Sequence, residues 1–320
     1  MGAGIGSPLV SIICNTYNHV DYIRQCLDGF LMQKTTFPIE ILVHDDASID
    51  GTADIVREYE ALYPDLIKPI YQNVNQYSKG VKVTLEYQYS RAKGKYIALC
   101  EGDDYWTDPL KLQKQVGILE SSEKYVICST DYQTFNQKDG IQGSSLAINE
   151  LIEYNIDNLI VGDWFFHPLT VMFRRSSLDL AKLNSYKNTI DIILFYEILK
   201  DRGLGVFLPE VTSVYRLHSK GIWSQIDLNA KRRFEFDVRL DLCSVEDNMD
   251  TAILLLSQFQ KPTSRLWMLK NIGLLGNSFV ILSRFFGVSL AFRVFCQKVF
   301  LNRIFTKCEI DQLIKQTNRN

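Results

Sequence analysis

Three carboxylates, those of Glu101, Asp103 and Asp104, lie within four residues directly after an apolar run. The run, residues 96–100, predicts a buried strand, and Gly102 allows a tight turn after it. Clustered carboxylates repel one another unless they share a cation, and hard divalent ions prefer oxygen ligands. The cluster therefore predicts a divalent-metal site. The alternative is a solvated acidic turn.

Two earlier apolar runs also end in polar side chains. Thr16 and Tyr17 follow the first run, and Asp45 and Asp46 follow the second. The carboxyl ends of parallel strands meet at one edge of a sheet, where ligands of open α/β sheets bind. We therefore expect the three clusters to line one crevice. For each cluster alone, the alternative is a helix cap or a turn.

Strand and helix patterns alternate along the first 130 residues. We predict strands at 9–14, 39–44, 67–71, 96–100 and 125–129, and helices at 20–33, 52–62, 81–92 and 109–120. This alternation indicates βαβ units and a mostly parallel sheet, an α/β fold. Further along we predict a long loop at 131–153, a strand at 169–173, a helix at 189–203 and a last strand from 210.

Composition places the chain among ordinary globular proteins. It has 320 residues, 46% of them hydrophobic, and a formal net charge of -2, which gives no argument for nucleic-acid binding. Seven cysteines without a Cys-x-x-Cys pair fit neither a disulfide framework nor a zinc site. Cys14, Cys100 and Cys128 lie in apolar runs and predict core thiols. Cysteines that form no disulfide framework indicate a reducing cytosol. Residues 1–7 lack the pattern of a signal peptide, so we expect a cytoplasmic protein.

The second half contains groups suited to a sugar and to a diphosphate. Aromatic rings beside polar groups suit sugar faces, so we predict that Trp164 and His167 contact an acceptor, together with Trp106 from the first half. Core packing is the alternative for Trp164, and a polar group before a proline turn is the alternative for His167. Alternate positions of the last strand carry Arg216, His218 and Lys220. Three such groups on one face suit a diphosphate.

Segments 8–18, 41–52 and 93–104 resemble, in order and spacing, the three signature blocks of the family-two inverting glycosyltransferases. Residues 215–224 resemble a late element of the same family, so the resemblance covers roughly 8–224. It implies a GT-A fold and a nucleotide-sugar donor. It also implies Mg²⁺ or Mn²⁺ held by a DxD-type motif.

The resemblance also implies roles for single residues. Thr16 and Tyr17 would lie against the nucleoside, and Asp45 would bind the base, commonly uracil. Glu101 takes the first DxD position, where the family usually has Asp, and Asp103 takes the metal-binding position. Further donor contacts are predicted for Asp46, Lys79, Asp104, Arg216 and Lys220.

Two more roles follow from the resemblance. Asp191, near the start of the helix at 189–203, corresponds to the catalytic base. Many members have an acid pair there, but Ile190 precedes Asp191, so one carboxylate is available. His218 is predicted to ligate the metal or to contact the diphosphate.

We predict a catalytic domain at 1–225, with a donor half at 8–130 and an acceptor half at 131–225, followed by a helical extension at 226–320. Residues 271–305 are apolar but carry recurring basic residues. They predict an amphipathic helix pair on the anionic inner face of the plasma membrane. The alternative is packing on the catalytic domain or on another subunit.

The expected activity is metal-dependent, inverting sugar transfer from a UDP-sugar to a glycan or lipid-linked saccharide, in cell-surface polysaccharide or lipopolysaccharide synthesis. One rival is a sugar-1-phosphate nucleotidyltransferase, which should show a glycine-rich phosphate loop after the first strand. Residues 15–19 contain no glycine. A second rival is a non-catalytic nucleotide- or glycan-binding module, which turnover would exclude.

Overall fold

The structure is a computed structural model. It describes residues 6–136, 139–161, 165–188, 191–201, 203–219, 221–246, 248, 251, 272–286 and 291.

The first strands and helices form the predicted βαβ units. Neighbouring strands pair in parallel in the order β3-β2-β1-β4, with Val10 opposite both Ile39 and Tyr96. Apolar residues at helical spacing form the two helices that follow β1 and β2. The elements are β1 (Val10–Thr16), α1 (Ile23–Leu31), β2 (Ile39–Asp45), α2 (Thr52–Leu62), β3 (Ile67–Tyr71) and β4 (Tyr96–Leu99).

The segment between β3 and β4 differs from the single helix predicted at 81–92. It forms a 3₁₀ turn at Tyr77–Lys79, a π-helical turn at Thr84–Gln88 and a 3₁₀ turn at Tyr89–Arg91. The buried side-chain amide of Gln88 donates to the carbonyls of Cys14 and Leu42, both at 3.1 Å. This segment is therefore joined to the sheet by polar contacts, which hydrophobic periodicity does not report.

The remaining strands make the sheet mixed. Its full order is β3-β2-β1-β4-β9-β6-β10-β5, with β7 paired to β6 and β8 to β10. β10 runs parallel to β6, whereas β9 runs antiparallel to both β4 and β6. The elements are β5 (Tyr105–Trp106), α3 (Lys111–Ser121), β6 (Tyr125–Asn136), β7 (Gly140–Ser144), β8 (Ile152–Tyr154), β9 (Met172–Arg174) and β10 (Leu204–Leu217).

Two predictions for this half were wrong. The predicted loop at 131–153 instead contains the end of β6, all of β7 and most of β8, because polar strand residues pair across hairpins and with β10. The strand predicted at 169–173 begins as a 3₁₀ turn, Pro168–Thr170. Thr170 closes that turn by accepting the amide of His167 at 3.1 Å and donating to its carbonyl at 2.8 Å.

Alternate residues of the parallel strands face one hydrophobic core. Val10, Ile12 and Cys14 of β1 pack there together with residues from α1, α2 and α3. Side chains of a strand alternate between its two faces, so this period-two set follows from the strand geometry. Cys100 and Cys128 are buried in the same core, as predicted.

The chain divides into two compact units. One comprises Met1–Ile156, Phe165–Asn184 and Leu194–Gly221, and contains the sheet. The other comprises Asp157–Trp164, Ser185–Ile193 and Ile222–Asn320. The later helices are α4 (Ile156–Val161), α5 (Leu180–Ser185), α6 (Asp191–Leu199), α7 (Ile222–Gln225), α8 (Leu228–Glu246) and α9 (Ile272–Phe286).

The helices of the described residues are too short or too polar to span a membrane. None of them is long and apolar enough to cross a bilayer. Of the helix pair predicted at 271–305, α9 is described, and most of the segment after it lies outside the described residues.

Candidate active site

The carboxyl ends of β1, β2 and β4 meet at one edge of the sheet. Thr16 lies level with Asp45 in the register of β1 and β2. Beyond the end of β4, the amide of Gly102 donates to the carbonyl of Asn15 at 2.9 Å, so the acidic turn continues alongside β1. The three predicted polar clusters therefore lie together.

Gly102 is required by close approach at this edge. A Cβ atom on it would lie 2.7 Å from Oγ1 of Thr16 and 3.1 Å from Nδ1 of His19. Neither of those two atoms has a hydrogen-bond partner among the described residues, although both are buried. A glycine thus leaves room for two polar side chains beside the acidic turn.

Two imidazoles meet the carboxylate of Asp103. Nε2 of His218 lies 3.0 Å from Oδ2 of Asp103, and Nε2 of His19 lies 3.7 Å from the same oxygen. Burial by itself would raise the pKa of Asp103, but the hydrogen bond from His218 and the nearby imidazoles lower it below the ordinary value. Asp103 is therefore held as an anion beside two imidazole nitrogens.

The chemistry of this donor set suits a divalent ion. A carboxylate oxygen and an imidazole nitrogen that are already adjacent can share one metal, and imidazole favours Mn²⁺ over Mg²⁺, which prefers oxygen. Within the described part of the chain, no group of three or more His, Cys, Asp or Glu side chains is arranged to hold an ion. Asp103 and His218 together offer one oxygen and one nitrogen donor at this edge.

Asp104 and Arg216, both predicted to contact the donor, are hydrogen-bonded within the protein. Oδ1 of buried Asp104 accepts the backbone amide of Arg216 at 2.8 Å. Burial, and then the charge of Asp103, raise the pKa of Asp104 well above its ordinary value. The guanidinium of Arg216 donates to the carbonyl of Asp103 and to the side chain of Gln25.

The acids that follow β2 are also divided. Asp46, predicted to contact the donor, accepts the amides of Gln76 and Tyr77, at 2.7 and 2.9 Å, and so fixes a turn. Asp45 accepts the amide of Ser48 with Oδ2 at 3.1 Å, while its buried Oδ1 has no hydrogen-bond partner in the described ranges. Burial raises the pKa of Asp45. An unpartnered buried oxygen at this edge suits a donor from a nucleobase.

Three further predicted donor residues lie on the surface. Tyr17 follows β1 and is 42% exposed, so its ring has a free face. Glu101 is exposed at the start of the acidic turn. Lys79 is exposed at the end of the turn that Asp46 fixes. Lys220 lies outside the described residues.

The predicted acceptor residues have different positions. Trp106 is 2% exposed and donates its indole N–H to the carbonyl of Leu169 at 3.0 Å, so it is a core residue without an open face. His167 lies between the rings of Tyr132 and Tyr215, at centroid distances of 4.9 and 4.7 Å. Burial lowers the pKa of His167 to about 4, which keeps it neutral. Trp164 lies outside the described residues.

Comparison with known proteins identifies the family. The model of "Glycosyl transferase family 2" matches residues 11–180, which include β1 to β4 and the acidic turn. The chain belongs to glycosyl transferase family 2.

Relatives and solved structures agree with this family-2 assignment. An uncharacterized protein of Mycobacterium tuberculosis is 36% identical over 229 residues, covering 71% of this chain and 64% of that protein's own length. The Escherichia coli UDP-Glc:alpha-D-GlcNAc-diphosphoundecaprenol beta-1,3-glucosyltransferase WfaP is 35% identical over 124 residues, 39% of this chain and 46% of that protein. S. aureus TarS 1-349, solved with UDP-GlcNAc, superposes with a TM-score of 0.66 at 17% identity, over 97% of this chain and 91% of TarS. The last likeness confirms the predicted GT-A fold.

Asp191, the base expected from the family-2 resemblance, begins α6. Its side chain is exposed at the surface, yet removal from bulk water by surrounding atoms raises the pKa of its carboxyl to about 6. A raised pKa suits a group that must accept a proton near neutral pH.

The sequence predictions missed several residues of this family-2 site. His19 directly follows the first signature block, and its position after a strand end was the available signal. Tyr22 and Gln25 of the α1 region and Tyr105 of β5 surround Arg216, and their spacing carries no such signal. They are brought to Arg216 by tertiary structure alone.

Proposed function

We propose that the chain is a metal-dependent, inverting glycosyltransferase that uses a UDP-sugar. The observation that carries this proposal is the adjacency of Asp103 and His218, 3.0 Å apart. The same sheet edge holds the Asp45 oxygen that has no hydrogen-bond partner among the described residues. One pair of ligands and one base-binding carboxylate at a shared edge suit a nucleoside diphosphate. The UDP in the names of WfaP and the TarS complex supports the same donor.

Each residue has a defined part in the proposed reaction. Asp103 and His218 would hold Mn²⁺ or Mg²⁺, and the ion would offset negative charge on the departing diphosphate. Asp45 accepts an N–H of the uracil, and Tyr17 covers one face of the nucleoside. Asp191 takes the proton of the acceptor hydroxyl.

The proposed bond changes balance in one displacement. The acceptor oxygen forms a bond to the anomeric carbon as the bond from that carbon to the diphosphate oxygen breaks. UDP leaves with the electron pair, and the configuration at the anomeric carbon inverts. No nucleophile of the enzyme is required.

The acceptor that we propose is a glycan or a lipid-linked saccharide of cell-surface polysaccharide synthesis. The name of WfaP, which specifies a sugar diphosphoundecaprenol acceptor, supports this choice. His167 contacts that acceptor as a neutral imidazole. The basic, apolar segment at 271–305 brings the protein to an anionic membrane surface on the cytoplasmic side.

A panel of nucleotide sugars with Mn²⁺, with and without a diphosphoundecaprenol-linked acceptor, tests the proposal. We expect nucleotide release from one UDP-sugar and a product with inverted anomeric configuration by NMR. Asp191→Asn should lose at least about 100-fold in transfer while still binding UDP. Asp201→Asn, an exposed acid just past the other end of α6, is the matched control. Tight UDP binding without turnover in any mixture would instead indicate a binding module.

A further inference from the structure

Arg216 lies at the centre of a small cluster behind the acidic turn. Its guanidinium is 4.3 Å from the ring centroid of Tyr105 and 5.2 Å from that of Tyr22. One terminal nitrogen donates to the carbonyl of Asp103 and the other to Oε1 of Gln25. We call Tyr22, Gln25, Tyr105 and Arg216 the Arg216 cluster.

The cluster joins three separate elements to the acidic turn. Tyr22 and Gln25 lie three residues apart, on one face at the start of α1. Tyr105 begins β5, which pairs with β10 through Val214. The backbone of Arg216 itself donates to Asp104. The residue thus binds both neighbouring acids of the turn, one through its side chain and one through its amide.

The metal-binding imidazole belongs to the same arrangement. His218 follows Arg216 by two residues, and its ring lies 4.6 Å from that of Tyr22. Tyr22 therefore contacts both the guanidinium that holds the Asp103 carbonyl and the imidazole that meets the Asp103 carboxylate. A shift of Arg216 would change the direction of both metal ligands.

We propose that Arg216 is a positioning residue that fixes the Asp103 carboxylate relative to His218 and does not itself bind the diphosphate. This inference rests on the proposed metal site. Its basis is that a planar guanidinium can donate in two directions while stacking on rings, which an ammonium cannot do. Arg216 is only 6% exposed, so its donors face the protein.

Gln25→Met provides the sharpest test, because Gln25 contacts the guanidinium and Met is similar in size. We expect Arg216→Met to weaken Mn²⁺ binding about 10-fold, because a group that orients a metal ligand is lost. Gln25→Met should weaken it less, about 3-fold, because Arg216 keeps its own contact with Asp103. Mn²⁺ binding is measured by electron paramagnetic resonance without nucleotide. Arg24→Met is the matched control, because Arg24 lies on α1 beside Gln25 and forms an exposed ion pair with Glu58 of α2. This variant should bind Mn²⁺ normally.

A second readout follows the turn directly. The amides of Gly102 and Asp104 donate to the carbonyls of Asn15 and Glu101, at 2.9 and 3.1 Å. We expect both amides to exchange with deuterium faster in Gln25→Met and Arg216→Met, but not in Arg24→Met. This readout requires neither metal nor donor. If Arg216→Met is poorly folded, Gln25→Met alone decides the outcome.

Arg216→Lys separates positioning from charge. A positioning role predicts that Lys loses most of the Mn²⁺ affinity, since it cannot make both contacts. Full affinity in Arg216→Lys, or wild-type behaviour of Gln25→Met in both readouts, would overturn the proposal. If the wild-type protein bound no Mn²⁺, the proposed metal dependence would fail. Exchange at Gly102 and Asp104 would then decide separately whether Arg216 holds the turn.

Discussion

The acid pairs at the ends of β2 and β4 use their two carboxylates in the same unequal way. In the first pair, Asp45 keeps a buried oxygen without a partner in the described chain, while Asp46 accepts two backbone amides. In the second pair, Asp103 meets two imidazoles, while Asp104 accepts the amide of Arg216. One acid of each pair is available to a ligand, and its neighbour fixes the surrounding backbone.

The difference within each pair has an electrostatic reason. Two adjacent buried carboxylates cannot both be left as unpaired anions, because desolvation and mutual repulsion disfavour the second charge. Asp104, whose pKa is raised by burial and by Asp103, illustrates this. The fixing acids also act over long sequence distances, Asp46 on the turn at 76–77 and Asp104 on β10. In each pair, one carboxylate is therefore open to a ligand and the other holds the surrounding backbone by accepting amides.

The largest expected effect comes from removing the ligand-binding acid of the second pair. Asp103→Ala should reduce metal-dependent nucleotide release from the UDP-sugar by about 1,000-fold, because charge on the leaving diphosphate is no longer offset. Release is measured at saturating Mn²⁺. Asp104→Asn should stay within about tenfold of wild type, since an amide oxygen can still accept the Arg216 amide. Equal losses in both variants would remove the distinction between the two acids.

A smaller effect is expected from the backbone-fixing acid of the first pair. Asp46→Ala leaves two partly buried amides without their acceptor and should lower the free energy of unfolding by about 2 kcal/mol. Urea denaturation measures this change. Asp46→Asn, which keeps one acceptor oxygen, should lie between Ala and wild type. A stability loss confined to Asp45 variants would reverse the roles that we assign to the two residues.

The ligand-binding acid of the first pair should affect the nucleotide more than the fold. Asp45→Asn should weaken UDP binding about tenfold by calorimetry, since a carboxylate that accepts from the base is replaced by a weaker acceptor. Its affinity for Mn²⁺ should not change, because Asp103 and His218 remain. Unchanged UDP affinity would show that Asp45 does not contact the base.

The same division explains which parts of the site the sequence predicted. β1 to β4 and their polar ends follow from local apolar periodicity, and their convergence follows from the topology of parallel sheets. Thr16, Asp45 and Asp103 were therefore found together. Which acid of each pair fixes the backbone was not predictable, because the partners of Asp46 and Asp104 come from segments about 30 and 112 residues away.

The acceptor half was harder to predict for a related reason. β7 and β8 are short and polar, and they are recognisable only through pairing with β6 and β10. Trp106 resembles a sugar-binding residue in sequence, but β5 pairs with β10 and packs beside α1, which buries the ring against Phe30. Long-range pairing thus decides whether an aromatic ring becomes core or surface.

The smallest expected effect is the pH dependence that Asp45 gives to the free energy of unfolding. Burial raises the pKa of Asp45 above the ordinary value of 3.8. The folded protein therefore binds the proton of the Asp45 carboxyl more tightly than the unfolded chain does. The resulting contribution to the free energy of unfolding is present below pH 3.8 and is lost as pH rises through the folded pKa. The Asp45→Asn variant has no carboxyl proton at this position, so it lacks this pH-dependent contribution. The free energy of unfolding of wild type minus that of Asp45→Asn should therefore fall as pH rises from about 4, when measured by urea denaturation at several pH values.

A difference that grew with pH would mean that the folded protein stabilises Asp45 as an anion. In that case its free oxygen would have a partner even without nucleotide, and the contrast with Asp46 would no longer hold.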